Sequence, residues 1–508
     1  MGREARSAQG VHPAAAMPRS DYVAQHGFLI AKGDEVNLGV ALEWLAVAAP
    51  WAIRIGALIV VPFRRSPAAT QSWLLLFFVA PWLGLVLYLA IGRPYHPRWR
   101  RQRVAQLWPI IDRAVSCIDR VARPAELPLV QASAASLVSG IGRMPLLQGN
   151  EVDFLTDYDA TIDLLVEDIG HANDHVHLLF YIFATDATGQ KVIAALRQAA
   201  LRGVRCRVLV DAIGSRTWAA RIERELRPAG VEVHEILPIR VLGRTTRFDL
   251  RNHRKIAVID GRIGYTGSLN IIDADHGWGW PNREVMARVR GPVVGELQAV
   301  FVADWFLETE KELADGHLYP PANDAGSSLG QVLPSGPDLE HGGIDELFVA
   351  LIHSARDRVL ISTPYFVPSE PLLQALQVAI LKGAEVHLLL SGRSDHPLVH
   401  LAQQSYYSEL LAAGARIHLF QPGFLHAKHM SIDEAVAVVG SSNVDMRSFA
   451  LNSEITLVLY DQEATLALRR IEGARLEQSI RLMPSDWESR NLVRKCAENV
   501  ARLFSPLL

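Results

Sequence analysis

Six residues recur at one spacing in two places, and this repetition constrains the fold more than anything else in the chain. His253, Lys255, Asp260, Gly267, Ser268 and Asn270 are matched by His426, Lys428, Asp433, Gly440, Ser441 and Asn443. Counted from each His, the other five fall at +2, +7, +14, +15 and +17 in both copies. At roughly one chance in twenty per position, such a match arises by accident about once per 10^7 to 10^8 windows. Two in 508 residues mean duplication.

The flanks are duplicated as well. Tyr181-Ile182-Phe183 precedes the first set as Tyr365-Phe366 precedes the second. An amphipathic helical pattern follows each, ending at Arg202-Gly203-Val204 or Lys382-Gly383-Ala384, and then comes an apolar strand, 207–211 or 387–391. Beyond each set a strand opens on a carboxylate, Glu284 or Glu454, 31 or 28 residues after its His. A repeat this long is not a solenoid unit. It predicts two fused copies of one α/β domain, facing each other about a pseudo-twofold with one His from each at a shared cleft.

His253 and Lys255 stand two apart in a run that reads as a strand, so they share a face, as do His426 and Lys428. Asp260 and Asp433 fall at an odd offset, away from that face, and Asp260-Gly261 looks like a hairpin turn. Their spacing reads as structural despite their place in the motif. On the neighbouring strand the small Gly267 and Gly440 leave room for a ligand. Ser268, Asn270, Ser441 and Asn443 are then candidate donors to phosphate oxygens.

These motifs resemble those of the phospholipase D superfamily. Further stretches are similar to the bacterial cardiolipin synthases: Arg251-Asn252-His253-Arg254-Lys255-Ile256, Ser335-Gly336-Pro337-Asp338, Thr363-Pro364-Tyr365-Phe366-Val367-Pro368, Asn443-Val444-Asp445-Met446-Arg447-Ser448-Phe449, Leu451-Asn452-Ser453-Glu454 and the terminal 503–508. The resemblance runs from about residue 36 to the end, with one departure at Thr266, where a second Gly is expected. It implies two phospholipase D-like α/β domains and a catalytic set of His253, Lys255, Asp260, His426, Lys428 and Asp433. It also implies Glu284 and Glu454 as the carboxylates that hold the imidazoles. His253 becomes the nucleophile, with His426 as acid and then base.

Two histidines suit a phosphodiester: one attacks phosphorus, and the other protonates the departing alcohol. Lysines and asparagines stabilise the phosphoryl oxygens, and no metal or other cofactor is expected. The cleft alone leaves transfer and hydrolysis both open. The resemblance favours transfer of a phosphatidyl group between two phosphatidylglycerol molecules, giving cardiolipin and glycerol. A phospholipid hydrolase, a superfamily nuclease and an inactive membrane scaffold are the competing readings. The net charge of −3 supplies no basic field for nucleic acid, and two intact motifs argue against a scaffold.

At 49% hydrophobic and 21% charged, the chain is apolar-rich for a soluble enzyme. No charge occurs between Arg65 and Arg93, and Trp73 to Ile91 is long enough as one helix to span a bilayer. An earlier arm, about 36–63, is interrupted by Glu43 and Arg54, each costing about 2.5–3.5 kcal/mol at the bilayer centre. It either spans or lies in the interface; a spanning hairpin is favoured. The organisation expected is a polar tail (1–35), a membrane hairpin (36–92, arms at about 36–63 and 71–91), a basic connector (93–145) and two catalytic domains (146–325 and 326–508). Basic residues in the tail and after the second arm place both ends, and the catalytic half, on the cytoplasmic side of a bacterial inner membrane. Arg98 to Arg103 read equally as an anionic-headgroup site or an ordinary stop-transfer flank.

Three scattered cysteines, Cys117, Cys206 and Cys496, form neither a disulfide framework nor a metal site. His171, His175 and His177 cluster between a helix and a strand and read as partly exposed and structural. Tyr406-Tyr407, on an amphipathic helix, reads as core packing.

Overall fold

The computed structural model describes residues 38–65, 67–92, 98–119, 127–238, 249–275, 279–313, 316–321, 325–339 and 343–505. The polar tail and Arg93 lie outside them. The chain divides into two compact units, one up to Tyr88 and one from Leu89 onward.

The first unit contributes the helices Leu38–Val60 and Pro67–Val79 and the start of Pro81–Ile91. Where the sequence predicts one continuous second arm, the structure has two helices that break at Pro81, whose nitrogen carries no hydrogen. The bonds Ala80 N to Leu76 O (2.8 Å) and Gly84 N to Ala80 O (2.8 Å) carry the chain across the break. No described helix is long and apolar enough to cross a membrane. Trp73 and Tyr88 pack edge to face at 5.2 Å. The Arg54 guanidinium donates to the Phe78 carbonyl at 3.1 Å and lies over the Trp51 ring. Trp51, Phe63, Trp82 and Val86 remain exposed.

In the second unit the duplication becomes topology. Strands of the first half run in the spatial order Leu147–Leu155, Met286–Arg290, Ile263–Gly267, Lys255–Ile259, His175–Phe180, Arg205–Asp211, Glu232–Ile236. The second half repeats it as Ser328–Ser335, Asn452–Leu459, Val436–Gly440, His429–Ile432, Arg358–Thr363, Glu385–Ser391, Arg416–Phe420, with Ser479–Arg481 added at the edge. The last three strands of each seven-strand series are parallel and the others antiparallel. The halves join where Leu147–Asn150 pairs antiparallel with Ser328–Gly330.

Apolar burial follows the same plan. Leu179, Ile256, Val258 and Val289 of the first half share one core with Val332, Val439, Ile455 and Leu457 of the second. Two further cores lie on the outer faces, around Ile162, Val192 and Leu196 in one half and Leu347, Leu372 and Leu376 in the other. The central strands are therefore covered on both sides, which is why they read as unbroken apolar runs.

Each motif aspartate sits in the turn at the far end of the strand that begins near its His. Asp260 and Asp433 hold φ of 54° and 50°, a left-handed conformation that Asp tolerates better than most residues. The Asp260 carboxylate accepts from the backbone N–H groups of Asn173, Asp174 and His175 at 2.8–2.9 Å. That of Asp433 accepts from Arg356, Asp357 and Arg358 at 3.1, 2.8 and 2.8 Å. Both pin the start of the adjacent strand.

The histidine cluster differs from expectation. His175 and His177 are fully buried, bridged by Gln298 and extended by Asp174 and Arg207, because the strand that carries them lies inside the sheet. Tyr406 and Tyr407 are buried as expected, at the junction of two helices, Pro397–Ser405 and Tyr407–Ala413. In the connector, Arg100 is buried in ion pairs with Glu308 (2.5 Å) and Asp338 (2.8 Å), and Arg103 pairs with Glu310. These two arginines serve tertiary structure; the Ser335–Asp338 stretch thereby gains a physical role.

Candidate active site

Two short parallel pairings build the site. Arg251–Asn252, just before His253, pairs with Asn452–Ser453, just before Glu454. Phe424–Leu425, just before His426, pairs with Asn282–Arg283, just before Glu284. His253 N donates to Ser453 O (2.8 Å) and His426 N to Arg283 O (2.9 Å). Each histidine is thereby set beside the carboxylate of the opposite half. His253 Nδ1 lies 3.0 Å from Glu454 Oε2, and His426 Nδ1 lies 2.6 Å from Glu284 Oε1. A carboxylate at Nδ1 fixes the tautomer and leaves Nε2 for chemistry.

Arginines lock the backbone that carries the carboxylates. Arg254 donates to the Glu454 carbonyl at 2.9 Å and pairs with Asp304 at 2.6 Å. Arg475, from a late helix, donates to the Glu284 carbonyl at 2.6 Å. Lys255 and Lys428 are buried beneath the histidines, and each Nζ donates to the carbonyl of its own motif His, at 2.6 and 2.5 Å.

Burial dominates the electrostatics. It takes the His253 imidazole down to about 4 against the opposing pull of Glu454, and it lowers His426 against Glu284. It takes Lys255 down to about 7 and Lys428 to about 8. Burial alone would raise the carboxylates, but the facing imidazole and lysine charges outweigh it, lowering Glu454 and holding Glu284 near 2. His253 is thus held as a neutral imidazole beside a charged carboxylate.

Both histidines line one cavity of about 660 Å³, with Asn270 and Asn443 also in its wall. The four expected phosphate donors therefore divide. Ser268 and Ser441 are engaged elsewhere, their hydroxyls turned towards the adjacent strand. Ser268 Oγ donates to Val285 O and accepts from Val285 N. Ser441 Oγ donates to Glu454 Oε2 at 2.5 Å and accepts from Ile455 N. Asp260 and Asp433 are outside the cavity wall, at the opposite ends of the motif strands.

Several wall residues escaped the spacing argument. Tyr181 meets the His253 ring edge-on at 4.9 Å, with Lys255 Nζ over its face. Tyr365 donates to Asp395 at 2.7 Å, and Phe424 stacks on His426. Arg251 and Arg447 line the same cavity. The duplicated tyrosines were the available signal for the first two; Asp395 carried none.

A family model described as "Cardiolipin synthase, PLD-like domain" matches residues 165–305 and 348–472. "Cardiolipin synthase A" of Pectobacterium atrosepticum is 33% identical over 485 residues, which covers 92% of this chain and 99% of that protein. The chain belongs to the cardiolipin synthase family. A second relative of that name, from Serratia proteamaculans, is 34% identical with the same coverage. Residues 52–93 match a model described as "Phospholipase_D-nuclease N-terminal". The fold is shared with the crystal structure of phosphatidylserine synthase from Haemophilus influenzae, at TM-score 0.57 and 13% identity over 75% of this chain and 98% of that one. Members of the cardiolipin synthase family are phosphatidyltransferases of the phospholipase D superfamily, and this chain is an enzyme of that class.

Proposed function

We propose that this protein transfers a phosphatidyl group from one phosphatidylglycerol to a hydroxyl of another, giving cardiolipin and glycerol through a phosphohistidine. One observation carries the reading: two imidazoles, each held at Nδ1 by a carboxylate of the other half, line a single cavity. Family membership supports the lipid substrate. The cavity is of ordinary ligand size and suits headgroups, with acyl chains remaining outside.

In the first step His253 Nε2 attacks phosphorus as the P–O bond to glycerol breaks, and His426 Nε2–H gives its proton to the departing alkoxide. Glu284 stabilises the imidazolium that His426 must be beforehand. In the second step the incoming hydroxyl attacks phosphorus, His426 takes its proton, and His253 leaves. Lys255 and Lys428 supply positive potential beneath the phosphate, and Asn270 and Asn443 offer neutral donors. Asp260 and Asp433 act through the fold.

The N-terminal helices, with Trp51, Phe63 and Trp82 exposed, are proposed as the membrane attachment, with the catalytic unit on the cytoplasmic face of the inner membrane. Purified protein given only phosphatidylglycerol should release glycerol and form cardiolipin, with or without chelator, and excess glycerol should drive the reaction backwards. Phosphatidic acid as sole product would make it a hydrolase.

A further inference from the structure

The helix Leu492–Arg502 is packed inside out. A helix on a globular surface normally turns its apolar stripe inward. Here the buried side carries Glu498, which pairs with Arg490 (3.0 Å) and Arg494 (3.3 Å), and the small Ala501. Leu492, Val493, Val500 and, at the helix end, Leu503 point outward at 75%, 78%, 55% and 51% exposure, with exposed Cys496 among them. At about 100° per residue these five fall within one arc of roughly 100°. Lys495 and Arg502, the latter paired with Glu409 at 3.4 Å, border that arc on one side.

Charge and position identify what covers this face. Residues 478–505 carry five Lys or Arg against three Asp or Glu, in a chain whose net charge is −3. The helix packs against Pro397–Ser405, whose Val399 lines the catalytic cavity and whose Leu398 is half exposed. An apolar face edged with cations, beside the wall of a cavity that holds only headgroups, has the chemistry of an interfacial membrane helix.

We infer that Leu492–Arg502 lies in the membrane–water interface, its apolar arc among the acyl chains of an anionic bilayer, next to where lipid headgroups enter the cavity. The entry role rests on the phosphatidyl-transfer reading; the membrane contact does not. Full-length protein carrying Cys117→Ser is labelled at Cys496 with an environment-sensitive fluorophore and placed in phosphatidylglycerol-containing nanodiscs; Cys206 is buried. Emission should shift to the blue and be quenched by nitroxides on lipid acyl chains, with little quenching by iodide. Quenching by iodide alone, or a blue shift in detergent that grows with protein concentration and so marks a second copy, would overturn the inference.

The variant L492S/V493S/V500S, changed only at exposed positions, should lose roughly tenfold in turnover of phosphatidylglycerol vesicles through a higher KM. Turnover of a dispersed short-chain phosphatidylglycerol should stay unchanged. Unaltered vesicle turnover, or an equal loss on both substrates, would sink the entry role. Should the protein turn over no lipid in any form, the transfer reading fails, and the Cys496 readout still decides the membrane contact.

Discussion

His253 and His426 face carboxylates in the same way, yet the two carboxylates are held differently. Glu454 offers both oxygens to His253 Nδ1, at 3.0 and 3.1 Å, while Ser441 Oγ donates to Oε2 and Asn452 Nδ2 to Oε1 at 3.3 Å. Glu284 meets His426 through Oε1 alone, and Ser268, the counterpart of Ser441, bonds the Val285 backbone and only adds to the lowering of Glu284. Tyr181 closes on the His253 ring edge-on, whereas Tyr365 turns its hydroxyl to Asp395. A nucleophile gains from a fixed orientation. A residue that protonates one alcohol and deprotonates another gains from freedom to adjust. On the proposed roles, near-identical spacing would be adapted to two tasks by what surrounds each carboxylate.

The strongest way to break this comparison is to remove each imidazole. His253→Ala should form no phosphohistidine and lose transfer by about 10^4-fold or more. His426→Ala should lose about 10^2- to 10^4-fold on phosphatidylglycerol. It should still form the covalent intermediate from a substrate with a good leaving group, and then stall. Acid-quenched phosphopeptide mapping checks this; label on His426 would reverse the assignment.

Glu454→Gln should lower turnover roughly 10^3-fold, and Glu284→Gln roughly 10^2-fold, both in folded protein. The tightly bonded Glu454 site leaves an amide nowhere to turn, whereas a Gln at 284 can present its oxygen to His426. Equal losses would mean that the extra bonds around Glu454 do not matter. The acid limb of kcat/KM sharpens the test, since His253 must be neutral to attack and its pKa lies at about 4. Glu454 raises that value, so Glu454→Gln should move the limb to lower pH.

Stability follows the same sign. His253 binds its proton less readily folded, at about 4, than unfolded, at 6.5. Its contribution is therefore complete above pH 6.5 and is lost as pH falls towards 4.

Asp260→Asn and Asp433→Asn should cost about 2–3 kcal/mol of stability each, because a charged acceptor of three backbone N–H groups is lost. Turnover per folded molecule should stay within about twofold of the parent, since neither residue lines the cavity. Urea midpoints paired with active-site titration separate the two. Folded but inactive Asn variants would return the aspartates to the chemistry.

The smallest effect expected is the split between the serines. Ser441→Ala should lower turnover about tenfold by freeing Glu454, while Ser268→Ala should cost about 1 kcal/mol of stability and a smaller loss of turnover, since Ser268 also helps to lower Glu284. Similar kinetics for both variants would remove the distinction between the two clamps.

Much of this was legible in the residues. The +2 spacing set each Lys beside its His, although the strands begin only at Lys255 and His429 and leave both histidines in the links before them. The odd offset of Asp260 and Asp433 set them apart from that pair. The serines were misplaced for the opposite reason: proximity to a glycine at a strand end does not say which way a hydroxyl turns. His175 and His177 were expected to be partly exposed, since a single strand does not reveal whether its sheet is covered on both faces.

By itself the sequence determined two copies of an α/β unit, the turn at Asp260, the place of Asp433 away from the chemistry, and two histidines bound for one cleft. These rest on spacing within a few residues, or on one copy repeating the other. Only the tertiary structure decided that His253 is served by Glu454 and His426 by Glu284. Those partners stand 201 and 142 residues apart. The two short parallel pairings that bring them together exist only once both halves have folded around their shared core.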